Sequence, residues 1–180
     1  MSTIDAITKR RSIRKYKADQ IKDADLEQII QAGQIAPNAG PFQISVVQNA
    51  ELLNKISAVT VEAMKNSGIK MMVDRAAIPG FNPLYGAPTL VVLSAPAKNP
   101  YSLANIATAG ANMTIAATAL GLGSCLMATP ELGLKADAEL AQAVGIPEGN
   151  TVMLCVTLGY AADDVKIPER KPAGKVNYVR

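Results

Sequence analysis

The chain has 180 residues, 49% hydrophobic and 18% charged, a balance that fits one globular domain with a substantial buried core. It has no histidine and only two cysteines, Cys125 and Cys155, which excludes Cys/His zinc sites, iron–sulfur ligation and histidine-based catalytic triads. The net charge is +3, with basic residues gathered near both ends, but no nucleic-acid-binding motif accompanies them. Nucleic acid is therefore not an expected partner.

Neither a signal peptide nor a membrane span is expected. The opening stretch 1–11 lacks the basic-then-apolar order of a signal peptide. The longest weakly polar stretch, 103–123, is rich in Ala, Gly, Thr and Asn, which favours a buried helix over a membrane span. Both cysteines lie in apolar runs, where buried reduced thiols are usual. We therefore expect a cytoplasmic protein that makes no contact with membranes.

The first predicted elements are two helices. Ser2 and Asp5 have the spacing of a capping box, which predicts a short helix that ends near Arg10. Asp23 is predicted to cap a second helix, which closes before Pro37.

The middle of the chain predicts a loop, two strands and a helix between them. PNAGPF at 37–42 is predicted to be a rigid loop, followed by a short strand at 44–47. Asn49 is predicted to cap a helix. Glycines and prolines break 67–86 into a long connection before a buried strand at 89–95.

The second half predicts two helices, an extended segment and a central strand. A helix with small or apolar residues on every face is expected at 102–120, and such a helix should have neighbours on all sides. An extended segment at 124–127 and another helix at 134–144 should follow it. The apolar, β-branched run 151–158 predicts a strand at the sheet centre, while 160–180 cannot form a core. This order indicates an α+β layered domain with a small mixed sheet.

The most distinctive polar cluster follows the first helix. Arg10, Arg11 and Arg14 surround the hydroxyl of Ser12, and guanidinium forks match the oxygens of a phosphate. A solvated run of charge is the alternative, and these residues alone do not decide between the two.

Five segments, in order along nearly the whole chain, resemble the nitroreductase family. Each is common by itself, but their order and spacing together are specific. The segments are RRSIRKY at 10–16, AGQIAPNAGPFQISVV at 32–47, LYGAPTLVVLSA at 84–95, NMTIAATALGLGSCLM at 112–127 and VTLGYAADDVKIPERKP at 156–172.

The resemblance implies a three-layer α/β/α nitroreductase-like fold with a central mixed, mainly antiparallel sheet. It implies a single FMN-binding domain over 1–180 and a homodimer with FMN at the subunit interface, the extension 160–180 packing on the partner subunit. The implied function is transfer of electrons from NADH or NADPH through FMN to a nitroaromatic, quinone or similar acceptor by a ping-pong mechanism. Because the flavin performs the chemistry, no catalytic side chain and no metal is expected.

The resemblance also assigns the phosphate end of the cofactor site. Arg10, Ser12 and Arg14 would hold the FMN phosphate, and Arg11 would help through backbone or ribityl contacts. Arg170 and Lys171 would close over the same phosphate. Exposed tail charge is the alternative reading of these last two residues.

The ring end is assigned to two further segments. The first approaches the ring from the partner subunit and comprises Pro37, Asn38, Ala39 and Gly40, although a helix-ending turn explains it equally well. The second lines the opposite side, with a backbone N–H near flavin N5, and comprises Leu126, Met127 and Ala128.

Two departures from the family pattern affect this ring end. The 37–42 segment is short and has Phe42 where Trp is common, and Asn105 stands where Asp is frequent. Three alternative functions remain open: a flavin-binding or flavin-handling protein without reductase turnover, a simple interaction protein that ignores FMN, or a family branch that dehalogenates substrates, oxidises azolines or breaks down flavin.

Overall fold

The computed structural model describes all 180 residues and contains seven helices and four strands. In chain order these are α1 Thr3–Lys9, α2 Asp23–Gln34, β1 Gln43–Val47, α3 Ala50–Lys65, α4 Lys70–Ala76, β2 Thr89–Pro96, α5 Ser102–Ala119, β3 Gly123–Met127, α6 Pro130–Ala136, α7 Ala138–Ala143 and β4 Asn150–Gly159.

The strands form one sheet in the order β1-β2-β4-β3, and every neighbouring pair is antiparallel. The strand predicted for the sheet centre is confirmed, because β4 lies between β2 and β3. The parallel component expected of a mixed sheet amounts to an isolated bridge between Ser12 and Ser124 at the β3 edge. The sheet is thus small and almost wholly antiparallel.

Helices cover both faces of the sheet. Side chains alternate along a strand, so Val91 and Leu93 enter one core while Leu90 and Val92 enter the other. The first core contains residues of α2 and α5, and the second contains residues of α3, α6 and α7. The predicted α+β class and the three-layer arrangement are therefore confirmed.

Local capping explains where two of the helices begin. At α1, the Ser2 hydroxyl accepts a hydrogen bond from the Asp5 amide at 3.1 Å, and the Asp5 carboxylate accepts one from the Ser2 amide at 3.2 Å. Asn49 caps α3 through the Leu52 amide at 2.9 Å. The cap predicted at Asp23 is wrong, since Lys22 is the N-cap and Asp23 begins α2, where a carboxylate favours the helix dipole.

Two other predictions are wrong. The helix predicted at 134–144 is split into α6 and α7, because Asp137 adopts an extended conformation and its carboxylate accepts a hydrogen bond from the Leu140 amide at 2.8 Å. The long connection predicted at 67–86 contains the helix α4. With seven residues and one buried side chain, Ala76, α4 is too short for a helical period to be visible in sequence.

Two global features complete the description. Cys125 and Cys155 are both buried free thiols, as predicted. Among the helices, none combines the length and the apolar character that crossing a bilayer requires.

Candidate functional site

The arginine cluster runs as extended chain along the open edge of the sheet. The Ile13 amide donates to the Ser124 carbonyl at 2.9 Å, which fastens this segment to β3. Because side chains alternate in extended chain, Arg10, Ser12 and Arg14 share one side while Ile13 is buried in the other direction.

The thiol of Cys125 lies beside all three of these polar residues. Burial raises the pKa of Cys125, whereas the charge of Arg14, a hydrogen bond with Ser12 and the charge of Arg10 act in the opposite direction. The net effect is upward, so the thiol stays protonated near neutral pH and is not an activated nucleophile. It instead marks the point around which the predicted phosphate residues converge.

The C-terminal tail returns to the same place. Burial lowers the pKa of the Arg10 guanidinium, and the charges of Arg170 and then Arg11 lower it further. A groove of about 340 Å³ lies between α1 and the tail, lined by Ile7, Thr8, Arg10, Arg11, Arg170, Lys171, Pro172 and Ala173. Arg11 and Arg170 also line a second groove of about 590 Å³, to which Ser12 and Arg14 contribute. We call these two spaces together the arginine groove.

The charges in the arginine groove are not neutralised by the chain's own ion pairs. All five ion pairs use lysine, and none of the six arginines has a carboxylate within 4.0 Å. Asp164, an acidic residue of the larger groove, pairs with Lys15. The guanidinium groups of Arg10, Arg14 and Arg170 therefore remain open to an external anion.

Arg11 differs from its neighbours because its side chain is occupied within the protein. Its guanidinium donates to the carbonyl oxygens of Pro168 at 2.8 Å, Thr8 at 2.7 Å and Arg10 at 2.8 Å. It thus ties the end of α1 to the tail and positions the segment that carries Arg170.

The predicted ring-end loop is exposed, but side chains of α5 and of the segment just before α5 hold this loop in place. The Ala39 amide donates to Asn105 Oδ1 at 2.8 Å, and the Ala39 carbonyl accepts from Asn99 Nδ2 at 3.2 Å. Thr108 donates to the Pro37 carbonyl at 3.0 Å. The turn predicted at 37–42 is therefore a rigid projection rather than a free loop.

The other two residues of this projection complete its shape. Asn38 donates to the Ala36 carbonyl at 3.1 Å, which closes the turn on itself. Gly40 has φ +116°, and a Cβ there would lie 2.6 Å from Asn99 Nδ2, so a side chain would strain the backbone and displace the Asn99 amide.

Within one chain, the projection and the arginine groove lie at opposite ends of α5. The projection contacts Asn105 and Thr108, whereas the segment 10–14 adjoins β3 just beyond the last turn of α5. The helix rises about 22 Å between residues 105 and 120. No residue of 37–40 lines the arginine groove.

The segment 126–128 ends the edge strand β3. Leu126 packs towards the α5 core and Met127 towards the opposite core, while Ala128 is exposed. The two larger side chains are thus largely engaged in packing, and the backbone together with Ala128 forms the open surface.

Sequence reasoning missed Arg75 and Tyr85. Arg75 donates to the Tyr85 hydroxyl at 3.2 Å and contributes, after Arg14, Ser12 and Arg10, to opposing the rise in the Cys125 pKa that burial causes. A sequence signal existed, since Arg75 is the only arginine between residues 15 and 169.

Comparison with known proteins defines the class to which this fold and site belong. The sequence model of the Nitroreductase family matches residues 7–160. A crystal structure of a nitroreductase with bound FMN from Bacteroides fragilis superposes with a TM-score of 0.90 at 31% identity, covering 100% of both chains. A nitroreductase with bound FMN from Desulfitobacterium hafniense gives 0.90 at 26% identity, again over 100% of both chains. The class is that of the nitroreductase-like oxidoreductases.

A curated relative agrees with this class. A protein of Archaeoglobus fulgidus, named as an NADH dehydrogenase/NAD(P)H nitroreductase, is 35% identical over 164 residues, or 86% of this chain and 83% of the relative. The chain belongs to the nitroreductase family.

Proposed function

We propose that the protein is an FMN-dependent oxidoreductase that passes electrons from NADH or NADPH to a small nitroaromatic, quinone or similar organic acceptor by a ping-pong mechanism. The observation that carries this proposal is the convergence of Arg10, Arg14 and Arg170 on one groove without a carboxylate partner. The solved relatives from B. fragilis and D. hafniense hold FMN. The named activity of the A. fulgidus relative supports NAD(P)H as electron donor.

The residues of the arginine groove fit the phosphate of FMN. A phosphate monoester carries about −1.5 to −2 charges at neutral pH and accepts several charge-assisted hydrogen bonds. Arg10 and Arg14 would bind it from one side of the groove and Arg170 from the other, with the Ser12 hydroxyl as a neutral donor and Lys171 at the rim. Binding would remove the repulsion between the Arg10 and Arg170 guanidinium groups.

Residues of two subunits would together form the binding surface for the flavin ring. The projection 37–40 of a partner subunit would approach one side of the ring, and the backbone and Ala128 of 126–128 would line the other. A partner is required because the projection of the same chain lies at the far end of α5.

The buried thiol and phenol next to the segment 10–14 are not suited to proton transfer at neutral pH. Burial raises the pKa values of both Cys125 and Tyr16, and the Tyr16 hydroxyl lies 2.8 Å from the Thr157 hydroxyl in a buried contact. FMN, when bound, supplies the electron relay between donor and acceptor. The chain's own residues would bind and orient the cofactor, and donor and acceptor would react with it in turn.

We further propose that the chain, as one domain, forms a homodimer in the cytoplasm, with 160–180 packed on the partner. Instead of having neighbours on all sides, α5 leaves Leu103 58% exposed in the single chain. In the tail, Val176, Tyr178 and Val179 are 74%, 75% and 91% exposed. Packing on a partner would remove these apolar side chains from water, which supports the proposed interface.

The dimer is tested by sedimentation of the full chain and of a variant truncated after Ala173. The truncation retains Arg170 and Lys171 but removes the exposed apolar residues of the tail. We expect the full chain to sediment at about twice 18.9 kDa and the truncated chain to dissociate at higher concentration. A monomeric full chain, or equal dimer stability in both, would contradict the proposed interface.

The function is tested by the visible spectrum of the protein reconstituted with FMN. Flavin absorption is expected to bleach when NADH or NADPH is added without oxygen, and to return when a quinone or nitroarene follows. Retained FMN that does not bleach would favour the flavin-handling alternative. Failure to take up FMN would refute the cofactor assignment.

A further inference from the structure

Arg75, on α4, lies near the segment 10–14, because it donates to the Tyr85 hydroxyl and Tyr85 packs against a buried cluster that contains Ile13 and Tyr16. Burial raises the pKa of the Cys125 thiol, and the charges of Arg14, Arg10 and Arg75 all act against that rise. The charge of Arg75 therefore acts on the same thiol, although Arg75 belongs to a different part of the chain.

Two aromatic residues orient Arg75 without neutralising it. Its Nη2 donates to the Tyr85 hydroxyl at 3.2 Å, and its guanidinium carbon lies 5.3 Å from the centroid of the Phe81 ring. No carboxylate lies within 4.0 Å. A guanidinium held on a ring face has its planar fork pre-organised for an oxyanion.

The backbone at Tyr85 supports a fixed role for this pair. Tyr85 has φ +58° and is the only non-glycine residue in the left-handed region. Bulky side chains avoid this region, so the surrounding structure must maintain it. The strained turn directs the Tyr85 hydroxyl to Arg75.

Charge balance separates Arg75 from the FMN phosphate site. Arg10, Arg14 and Arg170 already supply more positive charge than the about −1.5 to −2 of a phosphate monoester requires. Arg75 is solvent-exposed and lines neither space of the arginine groove, so it adds a further cation outside the phosphate site.

We propose that Arg75 binds an oxyanion carried by a substrate, which makes it a specificity-determining residue; this inference rests on the proposed oxidoreductase function. The oxyanion has two possible sources: the carboxylate of an acidic aromatic acceptor, or the 2′-phosphate of NADPH. Both would be bound by the fork that Tyr85 and Phe81 orient.

The test compares Arg75→Ala and Arg75→Lys with Lys70→Ala, which removes the same charge from the same helix at an exposed, ion-paired position. With NADH as donor, kcat/KM is measured for 4-nitrobenzoate and for the neutral 4-nitrobenzyl alcohol. With the neutral acceptor, kcat/KM is then measured for NADPH and for NADH. Titration of FMN gives the cofactor Kd of each variant.

We expect Arg75→Ala to lower the preference for the charged member of one pair by about tenfold, the usual effect of losing one charge-assisted hydrogen bond. Arg75→Lys should retain part of the preference, and Lys70→Ala all of it. A change in the acceptor pair identifies the carboxylate as the oxyanion, and a change in the donor pair identifies the 2′-phosphate.

Three outcomes would overturn the inference: equal falls for charged and neutral substrates, no change in either pair, or a raised FMN Kd as the sole effect. Failure of the proposed function is distinguishable, because the unsubstituted protein would then fail to bind FMN or to oxidise either nicotinamide.

Discussion

Replacing Arg10 or Arg14 with alanine is expected to weaken FMN binding by about 1.5–3 kcal/mol, or roughly 10- to 150-fold in Kd, the usual value of a hydrogen bond to a charged group. Both side chains lie beside Cys125 on the exposed side of the segment 10–14, and neither has a carboxylate partner. Fluorescence titration of the apoprotein with FMN measures the effect.

The free protein should tolerate these substitutions. Burial and the neighbouring charges of Arg170 and Arg11 lower the pKa of Arg10, so its charged form is disfavoured in the empty groove. Removing this charge relieves repulsion, and the apoprotein should melt at an unchanged or slightly higher temperature. Loss of FMN affinity without loss of apoprotein stability would separate a binding role from a structural one.

The matched control is Lys9→Ala, which removes a positive charge next to Arg10 at an exposed position. Its effect on the FMN Kd should be less than about twofold, because solvent and salt screen exposed charges. If Arg10→Ala and Arg14→Ala both left the Kd unchanged, or if Lys9→Ala matched them, the phosphate assignment would be wrong.

Asn105→Ala is expected to lower the free energy of unfolding by about 0.5–1.5 kcal/mol, the net contribution of a typical intramolecular hydrogen bond. The Asn105 side chain is 3% exposed, accepts from the Ala39 amide at 2.8 Å and approaches the Gly40 carbonyl at 3.5 Å. Alanine cannot replace either contact. Urea unfolding measures the loss, and hydrogen exchange of the Ala39 amide reports the loosening of the projection directly.

Asn112→Ala is the control for this prediction. Asn112 also lies on α5 and donates to the Ala32 carbonyl at 3.1 Å, but it does not contact the projection 37–40. It should leave exchange at Ala39 unchanged. If Asn105→Ala unfolded like the unsubstituted protein, or if exchange at Ala39 were as slow as before, the projection would owe its rigidity to other contacts.

The same position illustrates why the ring end was harder to anticipate than the phosphate end. Sequence comparison identified Asn105 as a departure from a frequent Asp, without a reason for it. In the fold, its amide faces both an N–H and a carbonyl of the projection. An amide can accept and donate at once, whereas an ionised carboxylate can only accept.

Local pattern was sufficient where a structure depends on neighbours in sequence. The capping box of Ser2 and Asp5, the cap at Asn49 and the apolar run of β4 were all predictable, because their interactions span a few residues or one strand. The split of 134–144 at Asp137 was not, since an apolar period does not reveal a cap formed within it.

For the arginine cluster, too, the local sequence determined some features and the tertiary structure decided the others. The sequence by itself determined that three guanidinium groups and one hydroxyl lie within five residues after the first helix, a set that suits a phosphate but is also compatible with a solvated run of charge. Only the tertiary structure decided that Arg170 reaches the groove, that Tyr85 brings Arg75 near the segment 10–14, and that Arg11 is occupied by carbonyls. It also decided that no carboxylate lies within 4.0 Å of any arginine. Those facts depend on contacts between residues far apart in the chain, which packing of the whole fold establishes and no local pattern records.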